Sequence, residues 1–169
     1  KKSDRRNEII QTKNNEDPVT LADLEVNKLI IDRIQEKYQK INWEILSEEN
    51  VKVKPNYCDT NVDWCWVLDP LDGTKDFIQG TGNYAMHLAL NYKQKPYIGV
   101  VLIPEKDELW IALGGKLWGE RREGSVIKPN ISGKKFLNEM TIVTSKNHRN
   151  EKLEQLINKV NFFKIIVMG

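Results

Sequence analysis

The chain has 169 residues, enough for one substantial hydrophobic core and short of two full-sized domains, so a single compact unit is expected. Hydrophobic residues make up 40% and charged residues 30%, and no apolar run approaches the length of a bilayer span, which argues against a membrane helix. With 26 Lys and Arg against 24 Asp and Glu, the formal charge of +2 supplies no field that would recruit nucleic acid or a membrane surface, and neither partner is expected.

The sequence opens on Lys1-Lys2-Ser3-Asp4 with no Met, signal or transit segment, and it stops at Val167-Met168-Gly169 directly after an apolar run. Both ends read as cut from a larger protein. From Leu21 to about Tyr38, Leu24, Ile31, Ile34 and Tyr38 recur on one helical face that Leu29 and Ile30 broaden; Thr20 is a fitting N-cap, with Asp23 three residues on. Trp43 to Leu46 and Trp64 to Leu68 are short apolar runs bounded by polar residues, the pattern of buried strands. Between them, Lys52 to Asn61 is rich in turn-forming residues. Cys58 and Cys65 lack zinc or redox spacing and read as reduced thiols, which points to a reducing, cytoplasmic compartment.

Tyr84, Met86, Leu88, Leu90 and Tyr92 alternate with Ala85, His87, Ala89 and Asn91, as in a half-buried strand. Pro96 to Ile103, Glu108 to Leu113, Lys116 to Arg121 and Met140 to Thr144 continue the series, and their short connections imply antiparallel neighbours. Arg149 to Val160 reads as an amphipathic helix burying Leu153, Leu156, Ile157 and Val160, ahead of a last strand from Phe162 to Val167. The class is α+β.

Three segments carry chemistry. The first strand-end segment, Asp69-Pro70-Leu71-Asp72-Gly73-Thr74, leads into a short helix from about Thr74 to Ile78. Two carboxylates across a Pro turn suit a hard divalent cation, and amides at a helix start suit phosphate, the pairing needed for metal-assisted phosphoryl transfer. The same residues also describe an ordinary Asp-rich turn. Ser47-Glu48-Glu49 again delivers acids to a strand end, whether as a surface turn or as a partner to the first segment. Val19-Thr20-Leu21-Ala22-Asp23 opens a helix, where an acid needs no role beyond the dipole. His87 reads as a packed or hydrogen-bonded side chain, since no nucleophile motif accompanies it. The basic residues around Lys116 to Lys135 read as a solvated face, and Trp43, Trp64, Trp66 and Trp110 as core.

Taken in order, Val19 to Asp23, Glu48-Glu49 and Trp66 to Phe77 resemble the Val-Thr-x-x-Asp, Glu-Glu and Trp-x-x-Asp-Pro-x-Asp-Gly-Thr-x-x-Phe segments of the inositol monophosphatase superfamily, magnesium-dependent and lithium-sensitive phosphatases. Ser47-Glu48-Glu49, Gly73 to Phe77 and Tyr84 to Leu90 look most like its 3′(2′),5′-bisphosphate nucleotidases, which act in sulfur assimilation. The resemblance implies removal of the 3′-phosphate of adenosine 3′,5′-bisphosphate, with an inositol monophosphate as the alternative substrate. It implies two or three Mg²⁺ held by Glu48, Asp69, Asp72 and the Leu71 carbonyl, and phosphate bound at Glu48, Leu71, Gly73 and Thr74. It makes Asp23 and Thr74 the pair that orients and deprotonates the attacking water, and it sets Lys13 near the metals. Family members continue into a second half with a Trp-Asp motif; nothing after Asp72 matches it. Residues 1–169 are therefore read as the N-terminal metal- and phosphate-binding half, with Ser3 to Gln11 as the tail of the family's first helix. A domain that binds without turnover is the reading if 169 residues is the natural length.

Overall fold

A computed structural model describes residues 9–13, 17–53, 62–130, 132–145 and 149–168, with the side chains of 9–18, 52 and 53 outside that description. Where length alone pointed to one compact unit, the contacts divide the chain into two, Lys1–Pro129 and Asn130–Gly169. The fold is α+β, as the order of elements indicated.

In the larger unit, β1 (Ile9–Lys13) and β2 (Asp17–Thr20) form an antiparallel ladder. Residues 9–11, expected as the tail of a helix, are thus strand, because pairing with β2 overrides local preference; Ser3 to Glu8 lie outside the described residues. The helix α1 (Leu21–Lys37) starts on a capping box: Thr20 accepts from the Asp23 amide while the Asp23 carboxylate accepts from the Thr20 amide. Its buried face differs from the apolar stripe. Ile34 and Asp23 are buried, Asn27 and Ile30 half-buried, whereas Leu24, Leu29 and Tyr38 are exposed. Positions 23, 27, 30 and 34 share one helical stripe, and its first two members are polar because they bond to neighbouring elements.

The strands β3 (Glu44–Ser47), β4 (Trp64–Asp72), β5 (Ala85–Tyr92), β6 (Lys95–Ile103), β7 (Glu108–Leu113), β8 (Lys116–Arg121) and β9 (Val126–Ile127) lie side by side in that order. β3 runs parallel to β4, and every later neighbour is antiparallel. Between β3 and β4, α2 (Glu48–Val53) begins on two acids, Glu48 and Glu49, that favour a helix start, so of the two readings of Ser47-Glu48-Glu49 the surface turn does not hold; residues 54–61 of the turn-rich stretch lie outside the described residues. The short α3 (Thr74–Gln79) follows β4. α1 and α2 both touch β4, whose Leu68 is almost fully buried. Tyr38, Trp43 and Trp66 meet edge to face, with ring centres 5.0 and 5.6 Å apart. Trp43 and Trp66, read from the sequence as core, pack against one another but stay half-buried. Cys65 is half-buried on β4; Cys58 lies outside the described residues.

In the smaller unit, β10 (Thr141–Ser145) and β11 (Lys164–Met168) pair in parallel, joined by α4 (Glu151–Lys159), which Asn150 caps through the Leu153 amide. Ile157 is buried there, but Leu156 is exposed. Among the described residues no helix is long and apolar enough to cross a membrane.

Candidate active site

The parallel pairing of β3 and β4 sets Ser47 level with Leu68, so the residues that follow each, Glu48 and Asp69, emerge together. On the other side of β4, Asp69 is level with His87 and Asp72 with Ala85. Three steps on β4 therefore face two on β5: a bulge carrying Pro70 and Leu71. In a regular strand, side chains three apart point to opposite faces. The extra residue restores the phase, and Asp69 and Asp72 share the face of His87. The segment expected as a turn after Leu68 is thus the bulged end of the strand itself.

Asp69 is half-buried. Burial, then the adjacent Glu48 carboxylate, then Asp72, push it up to about 7, against a smaller opposing pull from the Leu71 amide, which donates to Asp69 Oδ1 at 3.2 Å. A carboxyl that resists ionisation because it is partly buried and two other acids crowd it marks a place short of positive charge. Its donors are carboxylate oxygens and a backbone carbonyl, the set that hard divalent cations take. That donor set fits Mg²⁺, although among the described residues no three His, Cys, Asp or Glu side chains already stand as a ligand group for one ion.

Gly73 links β4 to α3 with φ of +87°, a conformation that disfavours side chains, and a Cβ there would lie 2.7 Å from the Asn83 carbonyl oxygen. The packed loop behind it is tied down at both ends. Thr81 donates to the buried Asp76 carboxylate, and the Tyr84 hydroxyl donates to Glu105 at 2.8 Å while its ring meets Phe77 edge to face. α3 begins without a side-chain cap.

Thr74, the first residue of α3, has its hydroxyl 3.1 Å from both Asp23 Oδ1 and the Leu71 carbonyl oxygen. One proton serves two acceptors, and the charged one is the stronger. Asp23 is 3% exposed, and its other oxygen, Oδ2, accepts from both the amide and the hydroxyl of Thr20. The capping box that starts α1 therefore also aims Oδ1 at Thr74.

The structure thus gathers Asp23, Glu48, Asp69, Leu71, Asp72, Gly73 and Thr74 around the β4–α3 junction. Lys13 lies on β1, with its side chain outside the description. Three residues escaped sequence reasoning. Ser47, 1% exposed, donates to Asn27 Oδ1 and so anchors the end of β3 to α1; the signal was Asn27 standing four residues after Asp23 on one helical face. His87, read as packed, stands with Nε2 3.9 Å from Asp72 Oδ2. A cavity of about 650 Å³ is lined by Glu48, Asp69, His87, Val67, Val100 and Val101. A larger one of about 750 Å³, beside Ile31, Tyr38 and Trp43, includes none of the gathered residues.

The sequence matches the inositol monophosphatase family over residues 1–166. The chain belongs to that family. It is 34% identical over 104 residues to the 3′(2′),5′-bisphosphate nucleotidase CysQ of Buchnera aphidicola, a match covering 62% of this chain and 38% of that one. It is 29% identical over 158 residues to the Nus factor SuhB of Pseudomonas aeruginosa, covering 94% of this chain and 55% of that one. The fold superposes on an inositol monophosphatase/NADP phosphatase solved with NADP and Ca²⁺, with a TM-score of 0.74 at 20% identity over 93% of this chain and 56% of that one. The inositol monophosphatase family chain described here spans about two fifths to three fifths of the length of these relatives.

Proposed function

We propose that the chain carries the metal- and phosphate-binding part of a Mg²⁺-dependent phosphatase that converts adenosine 3′,5′-bisphosphate to AMP and phosphate. The observation that carries this reading is the Asp23–Thr74 hydrogen bond set beside the crowded acids Glu48, Asp69 and Asp72. The family to which the chain belongs, and a relative named as a bisphosphate nucleotidase, support it.

Glu48, Asp69, Asp72 and the Leu71 carbonyl would hold the ions, two or three in number by the family resemblance. Bound there, Mg²⁺ would supply charge neutralisation to the phosphate and acidify the attacking water. The rest of the chemistry belongs to the side chains. With its proton on Asp23 Oδ1, the Thr74 oxygen keeps lone pairs free to accept from a water, so a proton lost by that water moves through Thr74 to Asp23. Thr20 holds Asp23 Oδ2 fixed, which prevents the carboxylate from rotating away. Gly73 lets the chain turn so that the Gly73 and Thr74 amides can face a phosphate oxygen, and the Asn83 carbonyl packed behind Gly73 fixes that turn.

An assay of phosphate release on the full-length gene product tests the reading, using adenosine 3′,5′-bisphosphate and inositol 1-phosphate with and without Mg²⁺. Mg²⁺-dependent preference for the nucleotide supports it. Preference for inositol phosphate assigns the chain to the alternative substrate, and metal-independent hydrolysis overturns the mechanism. The 169-residue chain should be nearly inactive on both substrates, since it spans only about two fifths to three fifths of the relatives it matches and turnover needs the substrate held on every side.

A further inference from the structure

His87 is the one imidazole among the described residues: the chain has two His, and His148 lies outside them. It is half-buried, it faces Asp69 across the β4–β5 ladder, and it shares a cavity wall with Glu48 and Asp69. Its Nε2 is 3.9 Å from Asp72 Oδ2, too long for a hydrogen bond. Two donors about 2.1 Å from a common ion stand roughly 3 Å apart when adjacent and roughly 4 Å apart when opposite, so the observed spacing lies within the span of one ion. An imidazole here changes what the acids would select. All-oxygen sites suit Mg²⁺, whereas an imidazole nitrogen adds affinity for Mn²⁺ and Zn²⁺ and little for Mg²⁺.

We propose that His87 is a specificity-determining residue of the acidic site, a nitrogen donor placed beside Asp72 that shifts its metal preference from Mg²⁺ toward Mn²⁺ and Zn²⁺. The inference rests on the metal-binding part of the function proposed above. The bulge that turns Asp72 onto the face of Asp69 is also what brings it beside His87, so the donor is built into the strand register.

Titration calorimetry of the whole chain with Mg²⁺ and with Mn²⁺, in wild type and His87→Asn, tests it without reference to turnover. Asn keeps a hydrogen-bonding group opposite Asp69 and removes the ring nitrogen. The expected result is an about tenfold loss of Mn²⁺ affinity with Mg²⁺ affinity held within about twofold. In parallel, Zn²⁺ added to ¹⁵N-labelled chain should move the Nε2 resonance of the imidazole that His87→Asn deletes. Equal losses for both ions, an unchanged ratio, or an unmoved ring nitrogen would overturn the proposal while leaving a Mg²⁺ site standing. Failure of wild type to bind either ion would overturn it together with the metal reading.

Discussion

Thr74 and Asp23 are 51 residues apart in sequence, and their side chains meet at 3.1 Å where the start of α3 faces the start of α1. Asp23 has no spare oxygen for another role: Oδ2 is occupied by Thr20 and Oδ1 by Thr74. The same carboxylate therefore caps a helix and aims a hydroxyl.

In the full-length protein, Asp23→Asn and Thr74→Ala should each lower turnover of adenosine 3′,5′-bisphosphate by about 10²–10⁴-fold, the usual contribution of positioned proton transfer. Mg²⁺ affinity should change little, because neither side chain is assigned to the ions. Steady-state kinetics alongside calorimetry separates the two effects. Near-wild-type turnover in either variant would remove the pair from the mechanism.

Asp69→Asn should abolish detectable Mg²⁺ binding by calorimetry. It replaces the carboxylate that Glu48 and Asp72 both crowd with a group carrying no charge. Equal affinity in wild type and variant would place the ions elsewhere.

The pH dependence of stability follows from the burial of Asp69 together with that crowding. The Asp69 pKa is raised from 3.8 to about 7, so between those values the folded chain holds a proton that the unfolded chain has released. Unfolding free energy from this group is greatest below about pH 4 and falls as pH rises, until it is lost above about pH 7. In chelator, Asp69→Asn should gain thermal stability over wild type as pH goes from 5 to 8. A Tm difference that stays constant over that range would show that Asp69 titrates normally.

Gly73→Ala should destabilise the chain by about 1–3 kcal/mol, since it forces a side chain into a left-handed conformation and against a backbone oxygen. Gly114 has φ of +58° but nothing within 4 Å of a Cβ, so Gly114→Ala should cost less. Urea denaturation of the two variants makes the comparison; equal losses would mean that the Asn83 contact carries no weight.

Much of this protein was legible from its residues in order. The β5 to β8 meander follows from period-two alternation broken by short turns, because such turns leave antiparallel pairing as the only local option. The capping box at Thr20 and Asp23 is a contact between residues three apart, and the Asp69 to Thr74 motif is a continuous segment. Other features depend on partners distant in sequence. The stripe of α1 that is buried was misplaced by hydrophobicity, since Asp23 and Asn27 face inward to meet Thr74 and Ser47. β1 was missed because its pairing with β2 outweighs weak local preference. The bulge at Pro70 and Leu71, and with it the common face of Asp69, Asp72 and His87, is a matter of register between two strands. Register is fixed by which backbone groups and side chains pair across the sheet, so only the folded chain could decide it.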